Sequence, residues 1–348
     1  MLKRIIEKNK NIFILRNNDL GDVLVATPLL RAIKEAFPNS KVSIGVGDWA
    51  RQLLENNPHI DEIISCNAPW HNKQICMYPA NSLKTFFQGL LYILFSKETK
   101  YLYKKRFTHG IDFLGSRQGS WLMLRAGIPT RFGVKGYAGG HNWCTKTVQF
   151  KSERNVAKSG LSFLKLFDKV SNVEPRPAVF LTDKEKRCAL DKWNVKDKHK
   201  IVIAPGGGFQ EKCWGNTNFE ELVLLLLGEL KTKVFIVGTK EDYGRINIKD
   251  NNNLSNYCGK LTIRETAAII SASDLVITNS SLCMHLSAAF ERKCITVLGD
   301  WYESTKLHFK QWGYPEGLII GKEKTDGIIN TANPRRIFEI VRDMMILR

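Results

Sequence analysis

The 348-residue chain has eight cysteines, at 66, 76, 144, 188, 213, 258, 283 and 294, and no two of them form a C-x-x-C pair. That scatter reads against a zinc site and against a disulfide framework, and leaves the thiols as reduced packing residues. The longest apolar stretch, FFQGLLYILF at 86–95, is about half of what a membrane-spanning helix requires. MLKRIIEKNKNIFIL sets a short apolar run among charges, which is not the pattern of a secretory signal. A cytoplasmic protein is the expectation. No low-complexity tract and no internal repeat is present, which excludes solenoids and disordered arrays. Neither a P-loop nor a G-x-G-x-x-G occurs, so the common nucleotide fingerprints are missing.

Positive charge, in contrast, is abundant. The formal net charge is +18, with 26 Lys and Arg against 13 Asp and Glu up to residue 175 and 26 against 21 beyond it. A basic first half attracts polyanions: nucleic acid, anionic lipid headgroups or phosphorylated sugars. It is equally compatible with an ordinary solvated surface. The basic residues are dispersed, and no helix-turn-helix, zinc finger or RNP motif accompanies them, so nucleic acid is not an expected partner.

The length is that of two domains of roughly 150 residues. NIFIL at 11–15 reads as a buried strand, RNNDLGD as a turn, and VLVATPLLRAIKEAF as a helix with Pro28 inside it, where proline kinks a helix or shifts its start. KVSIGVG, WARQLLENN and DEIIS continue the alternation of strand and helix, which implies a parallel sheet with right-handed crossovers. Leu83, Phe86, Phe87, Leu90, Leu91 and Leu94 share one helical face beside Lys84, Lys97, Lys100 and the KKR at 104–106. Such a stripe docks on a bilayer surface or faces an ordinary core. SNVEPRPAVFLTDKE at 171–185 has the composition of a linker. A second alternating series follows, with capping-box pairs at Thr217/Glu220 and Thr262/Glu265. NPRRIFEIVRDMMILR closes the chain as a helix with Asn333 as N-cap. The expected organisation is residues 1–175, residues 176–332 and a terminal helix at 333–348.

In doubly wound sheets ligands bind beyond the carboxyl ends of the strands, so the turns there are the candidates for chemistry. After IVIA comes PGGGFQEKCW, where Gly206, Gly207 and Gly208 let backbone approach a ligand, the next helix N-terminus favours a phosphate, and Lys212 is the nearest cation. A glycine-rich turn of this kind can also be purely structural. The strand DLVIT ends at Asn279, and the Ser280 and Ser281 hydroxyls with the free N–H groups of the following helix form an anion cradle, or a serine simply caps that helix. His285, one turn in, faces that pocket or packs the helix. Asp22, at the start of the first helix, is either an N-cap or a general base.

Taken in order, RNNDLGDVLVATPLLRAIKEAFPNSKVSIGVGDWARQLLENNPHIDEII, APGGGFQEKCWGNTNFEEL, VFIVGTKED and CGKLTIRETAAIISASDLVITNSSLCMHLSAA resemble glycosyltransferase family 9, the ADP-heptose-dependent heptosyltransferases of lipopolysaccharide core assembly. The resemblance covers nearly the whole chain. It implies an α/β GT-B fold: two doubly wound Rossmann-like domains facing across a cleft, the first binding acceptor and the second donor, with the final helix crossing back to the first. It implies inverting transfer of heptose from ADP-heptose, a nucleotide-sugar co-substrate, with no cofactor and no metal. The chain has no D-x-D that would hold one. The acceptor would be a phosphorylated glycolipid or glycan, reached at the inner face of the bacterial inner membrane, with the anionic membrane surface as a partner. Carried onto this sequence, Asp22 is the general base, Lys212 the cation on the donor diphosphate, and Asn18 and Asp19 are acceptor-binding. Gly206, Gly207, Gly208, Glu241, Ser280, Ser281 and His285 are donor-binding. Where the family usually shows D-S-G-P-M-H or D-T-G-x-x-H, this chain has S-S-L-C-M-H, with Ser280 in place of the acid and Leu282 in place of the glycine. A different nucleotide-sugar donor, or binding with weakened catalysis, is the alternative that this departure raises.

Overall fold

A computed structural model of the chain describes residues 10–79, 82–323 and 332–346. They form two compact units that divide between Ala178 and Val179, inside the segment whose composition reads as a linker.

The first unit is built on a six-stranded sheet in the order β3-β2-β1-β4-β5-β6. Its strands are β1 (Asn11–Leu15), β2 (Lys41–Val46), β3 (Glu62–Ser65), β4 (His109–Asp112), β5 (Thr130–Lys135) and β6 (Lys146–Gln149). Every pairing is parallel. Strand β1 is buried on both faces, as its unbroken apolar run requires. Successive side chains point to opposite sides, so Ile12 and Ile14 enter one apolar cluster with Leu30, Ile33 and Ile44. Phe13 and Leu15 enter another with Trp70, Leu122 and Met123.

The helical segment after β1 is two helices, α1 (Leu20–Leu24) and α2 (Thr27–Ala36), with Pro28 in the first turn of the second. Proline is tolerated there because no intrahelical donor is lost. Three further helices matter below: α3 (Leu83–Phe95), α4 (Lys97–Lys104) and α5 (Arg117–Arg125).

The second unit repeats the plan with β7 (His199–Ala204), β8 (Thr232–Ile236), β9 (Leu254–Asn256), β10 (Leu275–Thr278), β11 (Lys293–Val297) and β12 (Gly317–Ile320). The order is β12-β11-β10-β7-β8-β9, again wholly parallel. Counted from each unit's first strand, both sheets have the same order, 3-2-1-4-5-6. Each therefore has one switch point, between β1 and β4 and between β7 and β10, where doubly wound proteins bind ligands.

The helices of this unit include α6 (Asn216–Glu229), α7 (Ile263–Ser271), α8 (Leu282–Ala289), α9 (Thr305–Trp312) and α10 (Pro334–Ile346). Helix α7 has the expected capping box of Thr262 and Glu265. Helix α6 does not use Thr217. It starts at Asn216 after Gly215, whose φ of 113° turns the chain into it, and Glu220 instead accepts a hydrogen bond from the Asn247 N–H. Asn333 caps α10, accepting from the Arg336 N–H at 2.8 Å. Ile337, Phe338, Val341 and Met345 of α10 are buried in the second unit's core, beside Leu222 and Leu226 of α6.

Candidate active site

In the second unit the turn after β7 (205–208) and the turn after β10 (279–281) lie side by side at the switch point. Asn279 joins them. Its fully buried side chain donates Nδ2–H to the carbonyls of Pro205 at 2.7 Å and Gly206 at 3.2 Å, and its Oδ1 accepts from the Trp214 N–H at 2.9 Å. Only a carboxamide offers both donors and acceptor in one group. The asparagine lies within the motif singled out from sequence, but its reach to a turn 74 residues away is invisible there.

A third turn, after β11, completes the cluster. The N–H of Gly299 donates to the Lys212 carbonyl at 3.2 Å and that of Trp301 to the Glu211 carbonyl at 3.0 Å. A Cβ on Gly299 would stand 2.4 Å from the Cys213 carbonyl oxygen, so only glycine permits this approach. Together the turns surround the Lys212 ammonium with aromatic rings: its Nζ is 4.3 Å from the Trp301 centroid, 4.8 Å from Phe209 and 5.8 Å from Tyr302. Ring faces attract a cation through their quadrupole, so the three rings fix where this ammonium sits.

Ser280 and Ser281 part company. Ser281 is the N-cap of α8, its Oγ accepting from the Cys283 N–H and lying 2.9 Å from the Thr278 hydroxyl. Ser280 turns to α9, with its Oγ 2.9 Å from Nε2 of the buried His308. Tyr302 lies edge-on to that imidazole at 4.7 Å. Burial, with the nearby charges of His285 and Lys212 adding, pushes the His308 pKa down to about 4. At neutral pH Ser280 therefore faces an uncharged ring.

His285 is likewise buried and lowered to about 4 by burial. Its Nδ1 is 2.9 Å from the Tyr314 hydroxyl, and Trp312 lies edge-on to it, so its described partners belong to the helix-packing role. Glu241 is on the surface, its carboxyl lowered by the hydrogen bond with the Thr239 side chain. The adjacent Asp242 is the buried acid. It accepts from the Thr239 N–H and hydroxyl, each at 2.9 Å, and from Arg245 Nε at 2.6 Å. A Cβ on Gly206 would meet it at 2.4 Å. Asp242, His308 and the rings around Lys212 are absent from the sequence-derived site, as is the bridging role of Asn279.

In the first unit the turn after β1 carries Asn18, Asp19 and Asp22. Asp22, in the first turn of α1, receives Arg16 Nη2 at 2.7 Å, while Arg16 Nε donates to the Asp22 carbonyl at 2.9 Å. The guanidinium is buried over the Phe113 ring at 4.9 Å, which fixes the carboxylate while leaving its side chain 31% exposed. Asn18 and Asp19 hold a neighbouring loop. Asn18 Nδ2 donates to the His71 carbonyl at 2.8 Å, and Asp19 Oδ1 accepts from the Lys73 N–H at 3.0 Å. Across the switch point, at the end of β4, Asp112 is buried against the hydroxyl of Ser116 and the Leu114 N–H, both at 3.1 Å. Burial raises its pKa to about 6.

Residues 96–314 match the glycosyltransferase family 9 (heptosyltransferase) pattern. A lipopolysaccharide heptosyltransferase 1 from Campylobacter coli is 24% identical over 364 residues, covering 96% of this chain and 98% of the relative. Among solved structures, the Escherichia coli ADP-heptose lipopolysaccharide heptosyltransferase II superposes with a TM-score of 0.75 at 18% identity, over 97% of this chain and 99% of that one. An E. coli heptosyltransferase determined with ADP superposes at 0.72 with 14% identity, over 96% and 99%. The fold is thus the two-sheet GT-B fold of sugar-transferring enzymes. The chain belongs to glycosyltransferase family 9 and is a glycosyltransferase.

Proposed function

We propose that the protein transfers a heptose from ADP-heptose to a sugar hydroxyl of the lipopolysaccharide inner core or a related surface glycan, with inversion and without a metal or cofactor. In this reaction the acceptor oxygen bonds to the anomeric carbon as the bond from that carbon to the diphosphate oxygen breaks. The acceptor proton passes to the Asp22 carboxylate, and ADP leaves with the bonding electrons. Lys212 and the N–H groups after β7 and β10 stabilise the negative charge that develops on the leaving diphosphate. Arg16 holds Asp22 in one orientation, as a positioned base requires. The basic first unit suits a phosphorylated acceptor.

The observation that carries this reading is the convergence of three strand-end turns on one caged cation at the second sheet's switch point. The likeness to a heptosyltransferase solved with ADP supports the nucleotide. The test is a melting-temperature screen of ADP, UDP, GDP and their sugars, since a ligand bound to the native state alone stabilises it by mass action. ADP and ADP-heptose should raise the melting temperature. Silence from every adenine nucleotide would refute the donor assignment.

One observation favours a second reading. Ser280 stands where the family usually carries an acid, and it is bonded to a neutral imidazole. A pocket without that carboxylate would select a different sugar on the same nucleotide scaffold. A stronger response to another nucleotide sugar in the same screen decides for it.

A further inference from the structure

Helix α3 carries an apolar stripe on its outer side as well as a core face. Thr85, Gly89 and Ile93 are its buried positions, with Gly89 seated against the Trp70 ring. Tyr92 packs edge-on against Trp70 and Phe86 against Trp121, but four large apolar side chains point the other way. Leu83, Phe87, Leu91 and Phe95 are between 57% and 75% exposed, and their spacing of four residues makes one stripe along a rod of about 20 Å. Of the stripe read from sequence, Phe86 and Leu90 are half-buried, while Leu83, Phe87, Leu91 and Leu94 are exposed, so most of it does not face a core. The preceding loop adds Met77, 76% exposed, and is tied to the helix start by the Thr85 hydroxyl, which donates to the Pro79 carbonyl at 2.9 Å. Soluble surfaces rarely carry so continuous an apolar strip without a partner.

The exposed charges on α3 and α4 are all basic. Lys84, Lys97, Lys100, Lys104 and Arg106 are exposed at the ends of α3 and along α4. The acids nearby are already engaged: Glu98 accepts from the Asn67 side chain at 2.9 Å, and Glu62 pairs with Lys105 at 2.8 Å. Tyr101 and Tyr103 of α4 are exposed beside these cations, residues that favour the boundary between water and hydrocarbon. We infer that α3 and α4 form an interfacial docking surface for an anionic lipid bilayer, the α3 stripe entering the acyl boundary while the lysines meet the headgroups. A two-fold contact with a second copy would set these cations against one another, whereas an anionic bilayer complements them. No described helix is long and apolar enough to cross the membrane, so the surface lies on the bilayer and does not span it.

The test is sedimentation of the full chain with phosphatidylcholine vesicles, with and without phosphatidylglycerol, and with no donor present, so that its failure leaves the proposed reaction untouched. Binding to the anionic vesicles, weakening as salt rises, is expected. Phe87→Ser with Leu91→Ser should lower the partition coefficient more than tenfold at an unchanged melting temperature. Lys97→Ala and Lys100→Ala should each lower it about fivefold. Equal binding to neutral vesicles, no binding to anionic ones, or variants that bind as the parent does would overturn the inference. So would a stripe variant that only converts a dimer to a monomer in sedimentation velocity.

Discussion

Nε2 of His308 lies 2.9 Å from Oγ of Ser280, and this contact couples the turn after β10 to helix α9. The imidazole is held neutral because burial disfavours its charged form. Placing a carboxylate at position 280 supplies an opposite charge, so Ser280→Asp should move the His308 titration upward from about 4 toward its ordinary range. Imidazole ¹⁵N shifts followed against pH would report it. An unmoved titration would show that residue 280 does not govern that ring.

The same depressed pKa has a stability consequence. The unfolded chain takes up a proton on His308 near pH 6.5 and the native one only near 4, so stability present above 6.5 is lost as pH falls through that window. His308→Asn should flatten the loss, by up to about 3 kcal/mol at full effect. Urea midpoints between pH 7 and 4 measure it.

Asp112 has the opposite sign. Its native pKa, raised to about 6 by burial, means that stability is fully present below the unfolded value near 3.8 and is lost as pH rises through 6. Asp112→Asn keeps a hydrogen-bond acceptor and removes the charge, so its stability relative to the parent should improve from pH 4 to pH 7, by at most about 3 kcal/mol. Parallel midpoint curves for the two proteins would contradict this.

Asp22→Ala tests the proposed base. We expect transfer to fall by roughly 10² to 10⁴ with ADP binding preserved, and the melting temperature to drop because the buried Arg16 guanidinium loses its counter-ion. Arg16→Ala should also lower turnover, by releasing that carboxylate, and should cost stability through the emptied space beside Phe113. A fully active Asp22→Ala enzyme would remove the residue from the mechanism.

Asn279→Asp is nearly isosteric but cannot donate to the Pro205 and Gly206 carbonyls that Asn279 serves. Left buried without a donor, such carbonyls cost about 1 to 3 kcal/mol each. Hydrogen exchange in the 205–215 loop should accelerate, and nucleotide affinity should drop with it.

What the chain announces about itself follows from the range of the forces involved. NIFIL, KVSIGV, IVIA and LVIT are buried on both faces and read as strands without help. TRFGVK, KTVQ, LSN and GLII lie at or near the sheet edges, are short or mixed in polarity, and have no periodic signal. The turns after β7 and β10 are recognisable because an apolar run ends there in glycine or serine. The partners of those turns are not recognisable: His308 comes from a helix 28 residues beyond Ser280, and the cage around Lys212 needs Trp301 and Tyr302 from a third strand end. Periodicity finds the α3 stripe, yet only the packing of Gly89 on Trp70 tells which side faces out.

Each sheet closes its own apolar clusters on its own side of Ala178 and Val179. That makes the boundary a natural splice site for chimeric genes. Exchanging the back half for that of a relative with a defined sugar would replace the Lys212 cage, the Asn279 staple and the His308 contact together as one package, and would reveal which half of the polypeptide chooses the sugar.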